Sequence, residues 1–358
     1  MQKKWLLLPT NIPRGGFLPS QPHPPTIEFV VPQNKFTDKP TSMNGLPILR
    51  EDFRRMGITL KDDNVNTYLS STKVERNGWI MDAIDRPLGR DLADKILDVQ
   101  TGELLTLEET IHQLKQKKVI YFGEFHNHRS HHQGQLLLLK SLMKQGSQPT
   151  LAMEFLYRAD QPLIDRFIND ASLTEKEMAA LTRGFAGLYP EYQPILTFAR
   201  QSKIKTIGIN VETELKHKRL ELGWDALSPT EKKLIANDLH LDNLTYSNGV
   251  RSFFLKMGVQ WSEEKMQRMI ALQAIWDATF AERVAEHTAH PHPFQGPLVV
   301  ILGADHAKSH FSTPQRAYHI HQASYGTIVP VAVGNDERVD LKEMRKSATG
   351  DFLFLSLV

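Results

Sequence analysis

The sequence predicts an α/β protein with a mainly parallel central sheet flanked by helices. Short, continuous runs of β-forming apolar residues recur along the chain, and segments with a helical spacing of apolar residues lie between them. The apolar runs do not alternate with polar residues, which is typical of strands that are covered on both faces. A proline-dense start sets the first part of the chain apart from this alternating region.

The first 94 residues are predicted to form a weakly structured, Pro-rich N-terminal extension. Nine prolines lie between residues 9 and 48, and such density prevents long helices because proline lacks an amide donor. Two lysines precede a short apolar run at the start, but the run is shorter than a signal-peptide core and no small-residue cleavage site follows it. We therefore expect either a cytoplasmic or an envelope-associated protein, without a transmembrane segment.

The composition excludes several functional classes. The chain has 358 residues, with 43 Lys and Arg against 41 Asp and Glu, so its net charge of +2 provides no general attraction to nucleic acid. It has no cysteine, which excludes disulfides, thiolate metal sites, cysteine nucleophiles and a lipid-modified cysteine. Fifteen histidines, most of them clustered, favour nitrogen and oxygen ligands for any bound metal.

The sheet is predicted from five apolar runs, which lie at residues 118–123, 150–153, 205–209, 298–303 and 327–331. Helix starts are predicted between these runs, at the capping patterns Ser130-x-x-Gln133, Thr174-x-x-Glu177 and Ser228-x-x-Glu231, and at Ser262. The last of these helices extends to about residue 287 and carries Asp277 beside its apolar face. A carboxylate there costs free energy unless it is paired, so Asp277 is expected either in a structural contact or orienting a histidine.

Polar side chains follow four of the predicted strands. They are Glu124, His126 and His128 after the first, Glu154 after the second, Asn210 after the third, and Asp305 and His306 after the fourth. Ligands of open parallel sheets bind outside the carboxyl ends of the strands. The sequence therefore predicts a functional site at this edge of the sheet.

Two of these strand ends share a Gly-x-x-His pattern, Gly123 to His126 and Gly303 to His306. Together with Glu124 and Glu154, the two histidines are expected to form an oxygen and nitrogen site for a divalent metal such as Mn, Co, Zn or Fe. Alternatively, one of the glutamates is a general base and a histidine positions water. In the third interpretation the four side chains only hydrogen-bond one another and nearby backbone.

Histidines beside the first motif are expected to support it. His132 shares a helix face with Gln135 and apolar residues, so it is predicted to face the sheet. Its neighbour His131 is predicted to be a solvated residue near the helix start, and His128 to be a further companion of the motif.

The ordered set of motifs resembles the ChaN-like family of iron-regulated haem-binding proteins, within the Tiki/TraB superfamily. The motifs are Ile96–Gly102, Gly123–His128, His131-His132-x-x-Gln135, Met153-Glu154-Phe155, Arg158, Gln161-Pro162, Tyr192-x-Pro194, Asn210, Trp276–Ala281 and Gly303–His306. The resemblance covers about residues 95–335. It implies an α/β domain over 95–358 in which residues 161–290 are a largely helical insertion.

The resemblance also implies haem as cofactor, with a phenol as iron ligand and the cofactor held between the subunits of a homodimer. The residues expected to contact the cofactor are His128, His132, Tyr157, Arg158, Tyr189, Tyr192, Asn210 and Asp277, and the three tyrosines among them are the candidate iron ligands. Many family members are lipoproteins, and the lack of cysteine argues against that anchor here.

Two functions remain open at this point. The first is a haem-binding protein of iron acquisition or handling, which rests mainly on the resemblance. The second is a metal-dependent hydrolase of the Tiki type, in which Glu124, His126, Glu154 and His306 would be catalytic. Whether the chain is an enzyme is left undecided.

Overall fold

The computed structural model describes residues 87–170, 172–174, 177–178, 189–289, 296–308 and 311–357. Most of the predicted N-terminal extension lies outside these residues, so its boundary at residue 94 stays a prediction. Of Tyr189, the description includes only the backbone.

The described residues contain one eight-stranded sheet. Its strands are β1 (Ile96–Asp98), β2 (Leu104–Leu105), β3 (Val119–Glu124), β4 (Thr150–Tyr157), β5 (Thr206–Asn210), β6 (Leu298–Gly303), β7 (Tyr325–Val333) and β8 (Phe352–Leu357). Their order is β2-β1-β8-β7-β3-β6-β4-β5. The strands from β8 to β5 in this order pair in parallel, whereas β1 pairs antiparallel with β2 and β8. The predicted α/β class with a mainly parallel sheet is confirmed.

Helices connect the strands. They are α1 (Leu107–Leu114), α2 (Arg129–Lys144), α3 (Gln161–Asn169), α4 (Tyr189–Gln201), α5 (Thr213–Leu222), α6 (Pro229–Lys232), α7 (Leu244–Lys256), α8 (Glu263–Ala289), α9 (Thr313–Ile320) and α10 (Leu341–Lys346). Short 3₁₀ turns lie at Gly89–Leu92 and Arg158–Asp160. Within the predicted insertion, the described residues are helical apart from β5 and the loops. None of the helices described is long and apolar enough to cross a membrane.

The predicted helix starts agree with the structure except at α2. Ser228 and Glu231 form a reciprocal capping box, as do Thr174 and Glu177. The expected box at Ser130 is wrong, because α2 already begins at Arg129 with His128 as its N-cap. A tight turn that joins the His128 amide to the Phe125 carbonyl starts the helix early, and this leaves the Ser130 hydroxyl beside the His128 ring.

The strand order creates a crevice at the carboxyl ends of β3 and β6, which are parallel neighbours in the centre of the sheet. The chain leaves β3 through α2 toward β4 on one side, and it leaves β6 through α9 toward β7 on the other side. Neighbouring strands whose connections run in opposite directions mark a switch point of the sheet, and such points are where open α/β sheets bind ligands.

Apolar layers cover both faces of the sheet. Side chains of α2, α3 and α4, such as Leu138, pack with Phe122 on one face. On the other face, residues of α8 and α9, such as Phe280, pack with Tyr121. A third cluster joins α5, α7 and α8 within the insertion. Through α2 and α8, one helix from each face supplies side chains to the crevice.

Candidate functional site

Three of the side chains predicted to form the site meet above Gly303 at the end of β6. A Cβ atom added to Gly303 would lie 3.4 Å from the His126 ring and 3.6 Å from Oε2 of Glu154. His306 approaches the same place, with its Nε2 3.9 Å from Oε1 of Glu154. Glu124 pairs with Gly303 across β3 and β6 and lies behind His126. The crevice therefore gathers the four residues predicted as the catalytic or metal-binding set.

Glu124 is a buried carboxylate that four side chains surround. Oε1 accepts a hydrogen bond from the Tyr192 hydroxyl and lies 2.9 Å from Nδ1 of His126. Oε2 accepts a 2.7 Å bond from Gln135 and lies 3.4 Å from Nδ1 of His132. Burial raises the pKa of Glu124, but the charge of His132 and the bonds from His126 and Tyr192 outweigh it and lower the pKa to about 2. Glu124 is thus a fixed negative charge.

His132 links this carboxylate to the turn of the first motif. Its Nε2 lies 3.0 Å from the backbone carbonyl of His126. Because Gln135 directs its amide nitrogen to Glu124, its Oε1 faces Nδ1 of His132, at 3.2 Å. Both ring nitrogens therefore face acceptor atoms, and these two contacts fix the orientation of the ring.

His126 reaches the surface of the crevice. Its side chain is 23% exposed, whereas that of Glu124 is 2% exposed. Burial lowers the pKa of His126, but the hydrogen bond and charge of Glu124 outweigh burial and raise the pKa above its ordinary value. The contact between Nδ1 and Glu124 thus fixes the orientation of the His126 ring.

His306 has the same arrangement on the other face of the sheet. Its Nδ1 lies 2.9 Å from Oδ1 of the buried Asp277, and its side chain is 15% exposed. Asp277 also accepts 2.9 Å bonds from Tyr246 and Thr313. Burial would lower the pKa of His306, but the charges of Asp277 and Glu154 outweigh burial and raise it to about 9. Of the two roles expected for Asp277, its contacts favour orientation of a histidine.

Glu154 lies between the two imidazoles. The Gly303 amide donates a 2.7 Å bond to its Oε2. Asn210, another predicted cofactor contact, donates a 3.0 Å bond to the backbone carbonyl of Glu154 and thereby ties the end of β5 to β4. Asn210 is buried, so it supports the crevice from behind.

Other predicted contacts lie away from these bonds. His128 places Nε2 3.0 Å from the Leu357 carbonyl, on the C-terminal strand. Arg158 forms an ion pair with Glu286, at 2.9 Å, and donates a bond to the Lys233 carbonyl. Tyr157 is a buried residue at the end of β4. The side chain of Tyr189 lies outside the description.

The expectation that His131 is solvated is wrong. His131 is fully buried, its Nδ1 accepts a bond from the Phe125 amide, and its Nε2 faces the Ser356 hydroxyl. Burial lowers its pKa to about 3, so the ring is neutral. Because β8 covers this part of α2, a residue at the helix start is enclosed.

Three supporting residues were not predicted as part of the site: Gln135, Tyr246 and Thr313. Gln135 carried a signal, because it shares a helix face with His132. Tyr246 and Thr313 belong to helices on either side of α8 in the sequence, and no local pattern connects them with Asp277. Their contacts depend on how the insertion packs.

The geometry fits oriented imidazoles better than a metal centre made of side chains. Across the part of the chain that the structure describes, no group of three or more His, Asp or Glu side chains is placed to hold a metal ion. Instead, each histidine at the crevice mouth has a buried carboxylate at Nδ1. A carboxylate in this position fixes the ring orientation and leaves Nε2 as the atom for an external group.

A protein-family model described as "Haem-binding uptake, Tiki superfamily, ChaN" matches residues 110–317. A solved structure of ChaN of Campylobacter jejuni with cofacial haem binding is 18% identical, has a TM-score of 0.55, and covers 75% of this chain and 98% of its own. A structure of a mutant erythromycin esterase, EreC, in its open conformation is 10% identical, has a TM-score of 0.41, and covers 68% and 77%. No curated protein matches the chain significantly.

Proposed function

The chain belongs to the ChaN family of the Tiki superfamily, described as haem-binding uptake proteins, and from this premise we propose that it binds haem at the crevice between β3 and β6. We propose iron acquisition or handling as its role. The observation that supports the location is the pair of partly exposed imidazoles, His126 and His306, at the switch point of the sheet.

The donor set at the crevice fits haem. Imidazole, phenol, thiolate and thioether are the side-chain ligands that haem iron takes in proteins. The hydroxyls of Tyr192 and Tyr246 donate to buried carboxylates, and both rings are buried. The imidazoles of His126 and His306 reach the surface, so among the described residues they supply the ligand-type atoms at the mouth.

His126 and His306 would hold the iron, and Glu124 and Asp277 would fix their rings through Nδ1. When bound, haem would supply an iron centre that takes side-chain ligands. Against burial, the hydrogen bonds and charges of Glu124 and Asp277 raise the pKa values of His126 and His306 above the ordinary value. The phenol ligand implied by the resemblance stays a prediction for Tyr157, Tyr189 and Tyr192.

The metal-dependent hydrolase remains an expectation from the sequence, and no contact in the crevice favours it over haem binding. The homodimer also stays a prediction. Sedimentation of the full chain with and without haemin checks it, and a doubling of mass is the expected result.

Titration of the full chain with haemin tests the proposed function. We expect a shifted Soret band that saturates, and its loss in the double variant His126→Gln/His306→Gln. The double variant His319→Gln/His321→Gln, which alters histidines outside the crevice, is expected to behave as the wild type. Circular dichroism establishes that each variant is folded. A folded wild type without a Soret change at micromolar haemin would contradict the proposal.

A further inference from the structure

The surface beside His306 combines an aromatic wall with a cationic side chain. The His306 ring packs edge-on against the buried Phe280, at 5.3 Å between centroids, and lies 6.3 Å from the Trp276 ring. Trp276 precedes Asp277 on α8 and is half-buried. It is therefore the partly exposed aromatic ring next to the imidazole that the proposed function places on the iron.

Trp276 is held in place by a buried lysine. Lys216 of α5 is 3% exposed, and its ammonium lies 3.6 Å from the centroid of the indole. A cation over the face of an indole is attractive and fixes the ring orientation. A ring that is ordered before a ligand arrives loses little conformational entropy on binding.

Lys308 lies two residues after His306 and carries the positive charge. Its ammonium lies 5.7 Å from the centroid of Phe253 and 6.0 Å from that of Phe311, and it donates to Asp305. The Lys308 side chain is 21% exposed and that of Asp305 is 33% exposed. Because the pair reaches solvent, a carboxylate on a ligand can approach the ammonium without burial of a bare charge.

The indole of Trp276 lies beside the His306 imidazole, and the Lys308 ammonium follows His306 by two residues. An imidazole, an aromatic ring and an ammonium match the iron, the ring system and a carboxylate of a porphyrin dicarboxylate. We propose that Trp276 stacks against the porphyrin of haem beside His306 and that Lys308 binds one of its propionate carboxylates. This inference rests on the proposed function, because it assigns the orientation of the ligand in the same crevice.

The test compares haemin with haemin dimethyl ester, in which both propionates are blocked. Trp276→Leu is expected to weaken the binding of both compounds about tenfold, since stacking of an aromatic pair contributes that order of affinity. Lys308→Gln is expected to weaken haemin about threefold and leave the dimethyl ester unchanged, as befits a partly exposed ion pair. Lys308→Arg keeps the charge and is expected to retain the preference for haemin.

Matched controls separate these contacts from general effects. Trp224→Leu removes another half-buried indole that contacts cationic side chains, and Lys346→Gln removes another lysine from an ion pair. Quenching of tryptophan fluorescence on haemin addition is expected to decrease in Trp276→Leu and to persist in Trp224→Leu.

The outcomes distinguish the two proposals. If the wild type binds no haemin, the proposed function is wrong. If the wild type binds haemin, and Trp276→Leu and Lys308→Gln bind it as tightly as their control variants do, the proposed contacts of Trp276 and Lys308 are wrong and the proposed function stands. Equal weakening of haemin and its dimethyl ester in Lys308→Gln refutes the propionate contact.

Discussion

The substitution Asp277→Asn tests the charge arrangement around His306. Asp277 is nearly isosteric with asparagine, accepts bonds from Tyr246 and Thr313, and is the largest influence raising the pKa of His306 against burial. In the wild type that pKa is about 9, compared with about 6.5 in an unfolded chain. Without the charge of Asp277 the pKa of His306 is expected to fall, because burial lowers it and the charges of Glu154 and Asp305 oppose burial less strongly than all three charges together.

This change has a defined effect on stability. Since folding raises the pKa of His306, its contribution is fully present below about pH 6.5 and is lost as the pH rises through about 9. A pKa difference of about 2.5 corresponds to about 3 kcal/mol in the free energy of unfolding. Asp277→Asn removes most of this pH dependence and also lowers the stability at every pH, because two donors lose their charged acceptor.

Two measurements check the reasoning. Heteronuclear NMR of the His306 ring gives its pKa directly, and urea unfolding at pH 6 and pH 9.5 gives the difference in stability. Asp336→Asn, which alters an exposed ion pair with Arg90, is the control and is expected to change neither quantity. A His306 pKa that stays near 9 in Asp277→Asn would refute the assigned cause.

Two further predictions concern the other face of the crevice. Because Glu124 has its pKa lowered to about 2, its contribution to stability is present above about pH 4.5 and is lost as the pH falls through about 2. Glu124→Gln is therefore expected to lower the free energy of unfolding at pH 7 by about 3 kcal/mol. In urea unfolding measured at a series of pH values, the loss of stability at acid pH is expected to be smaller in this variant than in the wild type. An unchanged loss of stability at acid pH would contradict the role of Glu124 as a buried charge. His131, with a pKa near 3 caused by burial, is expected to show no NMR titration between pH 5 and 8, and a midpoint in that range would mean that its environment is solvated.

The sequence predicts the elements whose pattern lies within one short segment, and it does not predict contacts between residues far apart in the chain. Strands such as β3 and β6 are recognisable because burial on both faces demands an unbroken apolar run. In contrast, β1 and β2 have three and two residues, too few to form a pattern. His131 is enclosed by β8, more than 200 residues later, so nothing around it in the sequence indicates burial.

The repeated glycines have a physical reason that the sequence only partly indicates. A glycine before a turn suggests backbone freedom, but neither Gly123 nor Gly303 has a positive φ. Gly123 instead makes room for the other motif. A Cβ on Gly123 would lie 2.9 Å from Cβ of Ala307 and 3.1 Å from Cα of Ala304, which is too close. A Cβ on Gly303 would lie 3.4 Å from the His126 ring, an ordinary van der Waals contact.

The turn of each motif lies against the strand end of the other. Because β3 and β6 are parallel neighbours in register, the turn after each strand passes over the glycine of the other. The histidine three residues after each glycine then lies at the crevice mouth. The carboxylates that contact the two histidines lie on opposite faces of the sheet: Glu124, which contacts His126, is on the side of α2, and Asp277, which contacts His306, is on α8. The Gly-x-x-His pattern therefore encodes two imidazoles brought together from separate strands, while the carboxylates that set their charge come from different positions in the two motifs.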